Sequence, residues 1–419
     1  MRPSPGPARR GRIRLPLGLA LLAALAAVPV AGDAAESACT YLTRTIALQP
    51  GAALLLASYP AAEPGPLQHA AFLYDNAVAV IALVACGQAV QARRIGDAIL
   101  LALAHDRHWH DGRLRNAYAA GAVDASPLKL AGWWDAQRAL WLEDDYQAGS
   151  DCGNMAWAML ALLTLDAEAR ARAADHAQTR YALGALGIAQ WLQGQRDARG
   201  AGGFTGGSFG PDSAPQRLLW KSTEHNVDLA TAFERLASAI SQTRWRSQAQ
   251  GAQQFVAAMW DAQRGGFAAG TTADGLTVNP LLALDAQIWP LLALPQAVSR
   301  YTQVLPRAEQ RFRAGQGYAY SEAGGGPWTE GTAQVLLLLK LLHRQALLAA
   351  PEAAIAAARA PDGGYYATTV AALPTGFMLD TDPDKPRLYL HLEHLGAAAW
   401  VALAELGFNP FTGSRSLPP

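Results

Sequence analysis

One pattern recurs six times along this chain, and it limits the possible folds more than any single motif does. In each copy a glycine-rich loop leads into a polar cluster with an acid or an asparagine, and an apolar run of helical length follows. The anchor residues of the six clusters are Asp75, Asn154, Glu224, Asp285, Glu330 and Glu393. They lie 79, 70, 61, 45 and 63 residues apart, which is enough for two helices and a loop. The sequence therefore predicts a closed ring of six helical hairpins, each with one polar residue at a common centre.

The apolar segments alternate between two kinds. Residues 77–85 are apolar on every side, as in a helix that other helices enclose. In the next run Ile95, Ile99 and Leu103 recur at helical spacing with charged residues between them, as in a helix with one wet face. This alternation predicts inner helices surrounded by outer helices. Glycine and aromatic residues between each outer helix and the next inner helix predict short β-hairpins in the connecting loops.

The first 30 or so residues have the pattern of an export signal. A basic head, with Arg9 and Arg10 among its five arginines, precedes an apolar stretch at 15–30, and small residues follow at 31–34. The stretch is shorter than a membrane span, so we expect it to be removed and not kept as an anchor. After its removal we expect no stable membrane insertion. We predict a signal peptide at 1–34, a periplasmic or extracellular location, and one domain over 35–419.

Composition and the absence of certain motifs limit the ligands and cofactors that this protein is expected to bind. The net charge is zero and only 16% of the residues are charged, which argues against nucleic acid. Three cysteines allow at most one disulfide; we expect Cys39 to be left over and Cys86 to be a small buried residue. No phosphate loop, dinucleotide fingerprint or zinc-protease motif occurs, so we expect no cofactor. The histidines between 105 and 110 are interpreted as surface residues, so we expect no metal site.

Four acids carry the predicted chemistry. Asp75, Glu224, Asp285 and Glu330 each come just before an inner helix or in its first turn. A single acid at this position stabilises the helix dipole. Four of them at one mouth of a ring would be partly desolvated and would repel one another, which raises some of their pKa values. Glycoside cleavage needs that arrangement, with one protonated carboxyl group and one ionised.

A second set of residues is predicted to hold a substrate. Tryptophans at 133, 134, 141, 220, 289 and 328 lie near the repeated motifs, and indole rings suit the C–H faces of sugars. Amides and imidazoles in the same stretches can bind hydroxyl groups. The residues predicted to bind substrate are Tyr74, Asn76, Asn154, His225, Asn226, Gln287, Trp328, Glu393 and His394.

Several of these motifs together resemble a known superfamily. They lie at 74–77, 114–118, 221–226, 284–287 and 330–334. From about Tyr74 to Phe408 the chain resembles the six-hairpin glycosidases, whose fold is an all-α (α/α)6 toroid. The resemblance implies an enzyme that acts on carbohydrate, with carboxylates at the starts of inner helices as acid and base.

The sequence thus favours a glycoside hydrolase that cleaves an oligo- or polysaccharide. We expect Glu224 or Glu330 to be the general acid, with Asp75 and Asp285 as base, nucleophile or orienting groups. Glutamine at either glutamate should abolish turnover. The alternatives are a sugar epimerase or polysaccharide lyase that uses His225 and His394, and a toroid that binds glycans without catalysis. Terpenoid-type cyclisation is disfavoured by the export signal and the lack of a DxDD run.

Overall fold

The computed structural model describes residues 36–173, 179–379 and 382–419. The signal peptide predicted at 1–34 lies outside these residues. Fourteen α-helices occur in the described part of the chain, together with one 3-10 helix at Gln345–Leu347. The α-helices are α1 Ala38–Ala47, α2 Leu73–Ala85, α3 Ala89–His105, α4 Asp145–Ala148, α5 Cys152–Ala173, α6 Arg180–Gln193, α7 Thr223–Ala239, α8 Arg244–Ala258, α9 Leu284–Ala293, α10 Ala297–Arg300, α11 Val304–Arg311, α12 Thr329–Leu341, α13 Ala349–Ala357 and α14 Leu395–Leu406.

The strands are short and lie in the loops between helices. They are β1 Ala53–Leu55, β2 Ala70–Phe72, β3 Ala117–Ala119, β4 Gly121–Val123, β5 Gly132–Asp135, β6 Leu140–Glu143, β7 Ser150–Asp151, β8 Gly207–Phe209, β9 Gln216–Leu218, β10 Trp260–Asp261, β11 Gly266–Phe267, β12 Gly270–Thr271, β13 Val278–Asn279, β14 Arg313–Ala314, β15 Gly317–Tyr318, β16 Ala372–Leu379 and β17 Asp382–Leu390. The pairs β1–β4, β2–β3, β5–β6, β10–β11, β12–β13, β14–β15 and β16–β17 are antiparallel, and β7, β8 and β9 form one antiparallel three-stranded sheet.

Six helices form a closed inner ring. Going round it, α2 packs against α5, α5 against α7, α7 against α9, α9 against α12, α12 against α14, and α14 against α2. The helices α1, α3, α6, α8, α11 and α13 pack on the outside of this ring. The ring order places α2 opposite α9 and α7 opposite α14. The predicted ring of six helical hairpins is confirmed.

The inner helices are enclosed because their sequences are apolar on every side. All residues of α14 from Leu395 to Ala404 are buried, and the many alanines allow neighbouring helices to approach closely. By contrast, the outer helix α8 buries one face and exposes charged residues on the other. One end of the ring axis is filled by Trp157, Trp289, Trp400 and Phe411, whose rings lie 5.2–6.0 Å apart. This aromatic cluster makes the ring a cup rather than a tube.

A side-chain amide joins three inner helices to the loops that precede them. In each case the amide oxygen accepts from a backbone N–H, and the amide nitrogen donates to the carbonyl of the same residue. The pairs are Asn76 with Leu56, Asn226 with Phe204, and Gln287 with Phe267. All three amides are buried, so these bonds satisfy backbone groups that water cannot reach.

The cysteines differ from the expectation. Cys39 of α1 forms a disulfide with Cys86, the residue after α2, and Cys152 is a buried free thiol. The predictions that Cys39 would be left over and that Cys86 would be a small buried residue are therefore wrong. The bridge fastens the outer helix α1 to the end of the inner helix α2, so proximity in the toroid, which residue spacing does not reveal, decided the pairing. No helix within the described ranges is long and apolar enough to cross a membrane.

Candidate active site

A cavity of about 780 Å³ opens where the six inner helices begin. Each inner helix contributes a polar side chain to its wall from the first turn or the capping position. The six are Asp75 of α2, Asn154 of α5, Glu224 of α7, Asp285 of α9, Glu330 of α12 and His394 before α14. The ring therefore collects one chemically useful group from every hairpin at a single mouth.

The first group of side chains, here named the Glu330 cluster, consists of Tyr74, Asp75, Glu330 and His394. The hydroxyl of Tyr74 donates a short hydrogen bond to Glu330 Oε1, and Trp400 Nε1 donates to the Tyr74 oxygen at 2.8 Å. His394 Nε2 lies 3.3 Å from Asp75, and His394 Nδ1 lies 3.8 Å from Glu330 Oε2. The three helices α12, α14 and α2 are neighbours in the ring, which is why these side chains meet.

The two oxygens of Glu330 have different surroundings. Oε1 accepts from Tyr74 and, at 3.3 Å, from Gln334 Nε2, whereas Oε2 accepts no hydrogen bond from any described residue. Burial raises the pKa of Glu330 to about 7, although the nearby His394 and the Tyr74 hydrogen bond both lower it. A proton on Oε2 is therefore held weakly near neutral pH and belongs to a carboxyl group that lines the cavity.

His394 stands between the two carboxyl groups of this cluster. Burial lowers the pKa of His394, but Asp75 and then Glu330 raise it by more, so the net shift is upwards. Its Nδ1 also lies 3.3 Å from the backbone N–H of Ala397 and caps α14. When Nδ1 accepts from that N–H, the ring proton is on Nε2 and points at Asp75.

The second group, here named the Glu224 cluster, consists of Glu224, Asp228, Asp285 and Tyr320. Burial raises the pKa of Glu224 well above its usual value, and the carboxylate of Asp285 raises it further. Burial also raises the pKa of Asp285, but only to about 6, because backbone N–H, Tyr320 and Glu224 interactions oppose it. Near pH 7 the pair therefore holds one proton, mainly on Glu224, and Asp285 is ionised.

Asp228 is a carboxyl group that the sequence analysis missed. It is fully buried on α7 beside Trp157 and Asp285, and burial raises its pKa well above the usual value. It comes four residues after Glu224, which places it on the same face of the helix one turn deeper. That spacing was visible in the sequence. Burial thus favours the protonated form of Asp228, which lies below Glu224 in the same cluster.

A long hairpin, β16–β17, forms one wall of the cavity. Its residues Phe377, Arg387 and Tyr389 line the cavity, and the Arg387 guanidinium lies 5.2 Å from the ring centre of Tyr146 on α4. Arg387 lowers the pKa of Glu224, after the larger opposing effects of burial and carboxylates. The hairpin thus brings a permanent cation to the side of the cavity where Glu224 lies.

The remaining walls are largely aromatic. The aromatic residues that line the cavity are Tyr59, Phe72, Tyr74, Tyr146, Trp157, Trp220, Trp289, Tyr320, Trp328, Phe377 and Tyr389. Trp328 is 1% exposed and packs against Tyr320 and Tyr389 at 4.8 and 5.5 Å. Flat rings interleaved with carboxyl and hydroxyl groups can hold a ring with one apolar face and polar edges.

The structure brings together most of the residues predicted to form the site. All four predicted catalytic acids line the cavity, as do Tyr74, Asn154, His225, Trp328 and His394. Asn154 Nδ2 is held by Asn116 Oδ1 at 2.8 Å. Burial and then Arg387 lower the pKa of His225 to about 4, so its ring is neutral near pH 7.

Four predicted substrate-binding residues are placed elsewhere. Asn76, Asn226 and Gln287 are the amides that hold the preceding loops, so their hydrogen-bonding groups are already used. Glu393 is half-buried outside the cavity next to Asp362 of an outer loop, and burial with that neighbour raises its pKa. The structure gives these four residues contacts with protein groups in place of a substrate.

Other residues of the cavity had no usable signal in the sequence. Tyr59 and Tyr320 come from loops, Arg387 and Tyr389 from the β16–β17 hairpin, and Tyr146 from the four-residue helix α4. No helical spacing relates any of them to the acids. Within the described residues no group of three histidine, cysteine or acidic side chains could hold a metal ion.

Comparison with known proteins finds solved structures that have a similar fold. The sequence matches no protein-family model and none of the curated proteins. Solved structures do match. A glycosidase variant in complex with glucose is 12% identical, has a TM-score of 0.58, and covers 88% of this chain and 95% of its own. A family 76 glycoside hydrolase from a bovine Bacteroides thetaiotaomicron strain is 11% identical with a TM-score of 0.57, covering 87% of this chain and 76% of its own.

A cellobiose 2-epimerase from Bacillus thermoamylovorans matches equally well. It is 11% identical, has a TM-score of 0.57, and covers 87% of this chain and 95% of its own. At these identities the comparisons establish the fold alone. This chain has an (α/α)6 toroid fold like those structures, which confirms the fold class expected from its motifs.

Proposed function

We propose that this protein is an exported glycoside hydrolase in which Glu330 is the general acid and Asp285 is the base or nucleophile. One observation carries the proposal. Glu330 has a pKa of about 7, one oxygen fixed by Tyr74, and the other oxygen without a hydrogen-bond partner among the described residues. A general acid needs a pKa near the working pH and a proton that is free to leave.

The two clusters suit opposite roles. Glu224 and Asp285 interact directly, so they are too close to act on opposite sides of a glycosidic bond. Acid and base carboxyl groups in glycosidases stand at least about 5 Å apart. The acid and the base should therefore come from different clusters, and Glu330 on α12 next to Asp285 on α9 is such a pair.

The reaction then follows from the charges. The proton on Glu330 passes to the glycosidic oxygen as the bond to the anomeric carbon breaks. Ionised Asp285 either attacks that carbon or takes a proton from the attacking water. Glu224, which is protonated, and the Tyr320 hydroxyl stabilise the carboxylate of Asp285 before the reaction. Once Glu330 has given up its proton, positive charge on His394 stabilises the Glu330 carboxylate. The proton that restores the acid then comes from water.

Two further observations support the proposal. Several solved structures with this fold have the names of glycosidases, among them an α-mannanase of family 76 from Bacteroides thetaiotaomicron. The Cys39–Cys86 disulfide fits an oxidising compartment, as an exported protein would meet.

The test is digestion of a polysaccharide panel that includes yeast mannan, dextran and barley β-glucan, with new reducing ends as the readout. We expect at least one glycan to be cleaved by the purified protein and not by its Glu330→Gln variant. Cleavage that the variant retains would remove Glu330 from the mechanism. Binding of a glycan without any product after long incubation would favour a non-catalytic toroid.

Epimerisation of a sugar is the second candidate. His225 and His394 both line the cavity and belong to helices on opposite sides of the ring, as a two-sided proton exchange requires. The low pKa of His225, about 4, leaves it neutral and able to accept a proton. This alternative predicts deuterium uptake at the carbon next to the anomeric centre in D2O, without new reducing ends.

A further inference from the structure

A β-hairpin outside the cavity carries two exposed tryptophans. Trp134 of β5 and Trp141 of β6 are paired directly across the hairpin, so their side chains share one face. They are 59% and 55% exposed, and the described residues include all twelve tryptophans, of which only these two are so exposed. Neither indole packs on another aromatic ring in the described part of the chain. Two large apolar rings left in water on one face suggest a binding surface.

The hairpin is built to hold these rings in place. A Cβ atom on Gly132 would lie 2.6 Å from Cε2 of Trp141, so the absence of a side chain lets this indole lie over the strand. At the base of the hairpin Arg107 bonds both carboxylate oxygens of Glu143 at 2.6 Å and also bonds Asp212 at 2.8 Å. Bidentate pairs of this kind fix geometry as well as charge.

The hairpin adjoins the cavity. It belongs to the connection from α3 to α5, which lies at the mouth of the ring. β6 ends at Glu143, and the next residue, Asp144, lines the cavity together with Tyr146 and Gln147. Trp141 leans over Gly132, which is paired with Glu143, and therefore towards this end of the hairpin. The hairpin that carries Trp134 and Trp141 thus ends one residue before the cavity wall.

We infer that Trp134 and Trp141 form an aromatic platform that binds the part of a polysaccharide chain lying outside the cavity. The inference rests on the proposed function for the chemical class of the ligand. Pyranose rings spaced along a chain can stack on successive indoles. The other possible occupants, a membrane and a second copy of the chain, fit less well because two indole rings offer little apolar area for insertion or for a stable dimer.

The experiment is native affinity electrophoresis of the full chain through gels that contain yeast mannan, dextran or barley β-glucan. The variants are Trp134→Ala, Trp141→Ala and the double variant. Leu183→Ala, which removes a 54%-exposed apolar side chain from outer helix α6, is the matched control. We expect retardation of the wild type and the control by at least one glycan, and a roughly tenfold weaker affinity of the double variant.

A kinetic arm separates this inference from the proposed function. On the glycan that is cleaved, kcat/KM of the double variant should fall about tenfold, whereas cleavage of an aryl monosaccharide of the same sugar should be unchanged. Weaker glycan binding without any hydrolysis would support the platform and contradict the hydrolase. Equal binding and equal polymer cleavage by all variants would overturn the platform and leave the hydrolase intact. Loss of binding to phosphatidylcholine–phosphatidylglycerol vesicles, or of a dimer in gel filtration, with glycan binding unchanged would also overturn it.

Discussion

The two carboxyl clusters line the same cavity, but their charges are controlled in different ways. In the Glu330 cluster the nearby cation is His394, whose own charge depends on pH. In the Glu224 cluster the nearby cation is Arg387, which is charged at every relevant pH. The comparison indicates that protons move in and out of the Glu330 cluster near neutral pH, while the Glu224–Asp285 pair keeps one proton and one negative charge.

Hydrogen bonding shows the same difference. Glu330 has one oxygen that accepts hydrogen bonds and one without a partner among the described residues, so a proton on the second oxygen can pass to a substrate without breaking a hydrogen bond to the protein. Asp285 instead accepts from its own helix through the Ala286 N–H at 2.6 Å and interacts with Glu224 and Tyr320. A carboxylate with several donors is stabilised in its ionised form. One cluster is arranged to give up a proton, and the other is arranged to carry negative charge.

The largest expected effect comes from Glu330→Gln, which removes the transferable proton and keeps the shape. We expect kcat to fall by about 10³ and KM to change little, since general acid catalysis contributes roughly 10²–10⁴. Steady-state kinetics on the cleaved glycan measure this. Glu393→Gln is the matched control, because it makes the same chemical change outside the cavity. A variant with more than a tenth of wild-type activity would assign the acid role elsewhere.

Two isosteric substitutions distinguish the roles of Asp285 and Glu224 in the Glu224 cluster. Asp285→Asn removes the negative charge, so kcat should fall by about 10²–10³. Glu224→Gln replaces a group that is already neutral, and the amide can still donate to Asp285, so the loss should be only about tenfold. Kinetics of both variants under one set of conditions give the comparison. If Glu224→Gln proves as damaging as Glu330→Gln, the proton donor lies in the Glu224 cluster.

Much of this arrangement could be predicted because the six repeated polar clusters mark the starts of the inner helices. Five of the six sequence anchors line the cavity. In the sixth hairpin the anchor was Glu393, but the helix begins at Leu395 with His394 as its cap, and His394 enters the cavity. A shift of one residue rotates a side chain by about 100° around a helix. Sequence patterns rarely fix a helix start within one residue.

The same rotation explains why three predicted amide side chains do not face the cavity. Asn76 follows Asp75 by one residue, while Asn226 and Gln287 follow their acids by two, so all three point away from the cavity and towards the preceding loop. A helical projection would have separated them from the acids and would have included Asp228. Arg387 and Tyr320 could not be found in this way, because a hairpin and a loop bring them to the cavity from distant parts of the chain.

The free energy of unfolding should depend on pH because Glu330 is a buried carboxyl group. Its folded pKa of about 7 lies above the usual 4.5, so the folded state favours the protonated form. The associated stability is fully present below pH 4.5 and is lost as the pH rises through 7. Glu330→Gln cannot ionise, so at pH 8 its free energy of unfolding should exceed that of the wild type by about 3 kcal/mol.

Urea unfolding at pH 4.5 and pH 8 measures this difference. At pH 4.5 the two proteins should be nearly equal. Glu234→Gln, at an exposed residue of α7 that pairs with Arg246, is the control and should show no such change with pH. An equal gain at both pH values would mean that the variant is stabilised by packing and not by the loss of a buried charge.

The smallest expected effect is a shift in the pH dependence of kcat/KM when the tyrosine of either cluster is replaced by phenylalanine. In the wild type, kcat/KM should rise as Asp285 ionises near pH 6 and fall as Glu330 loses its proton near pH 7. The Tyr74 hydrogen bond lowers the pKa of Glu330, so Tyr74→Phe should move the alkaline limb to higher pH. The Tyr320 interaction lowers the pKa of Asp285, so Tyr320→Phe should move the acidic limb to higher pH. Each limb should move by about 0.5–1 pH unit, the equivalent of one hydrogen bond. Because each variant should move a different limb, a shift of the same limb by both would show that the two clusters titrate as one unit and not as a separate acid and base.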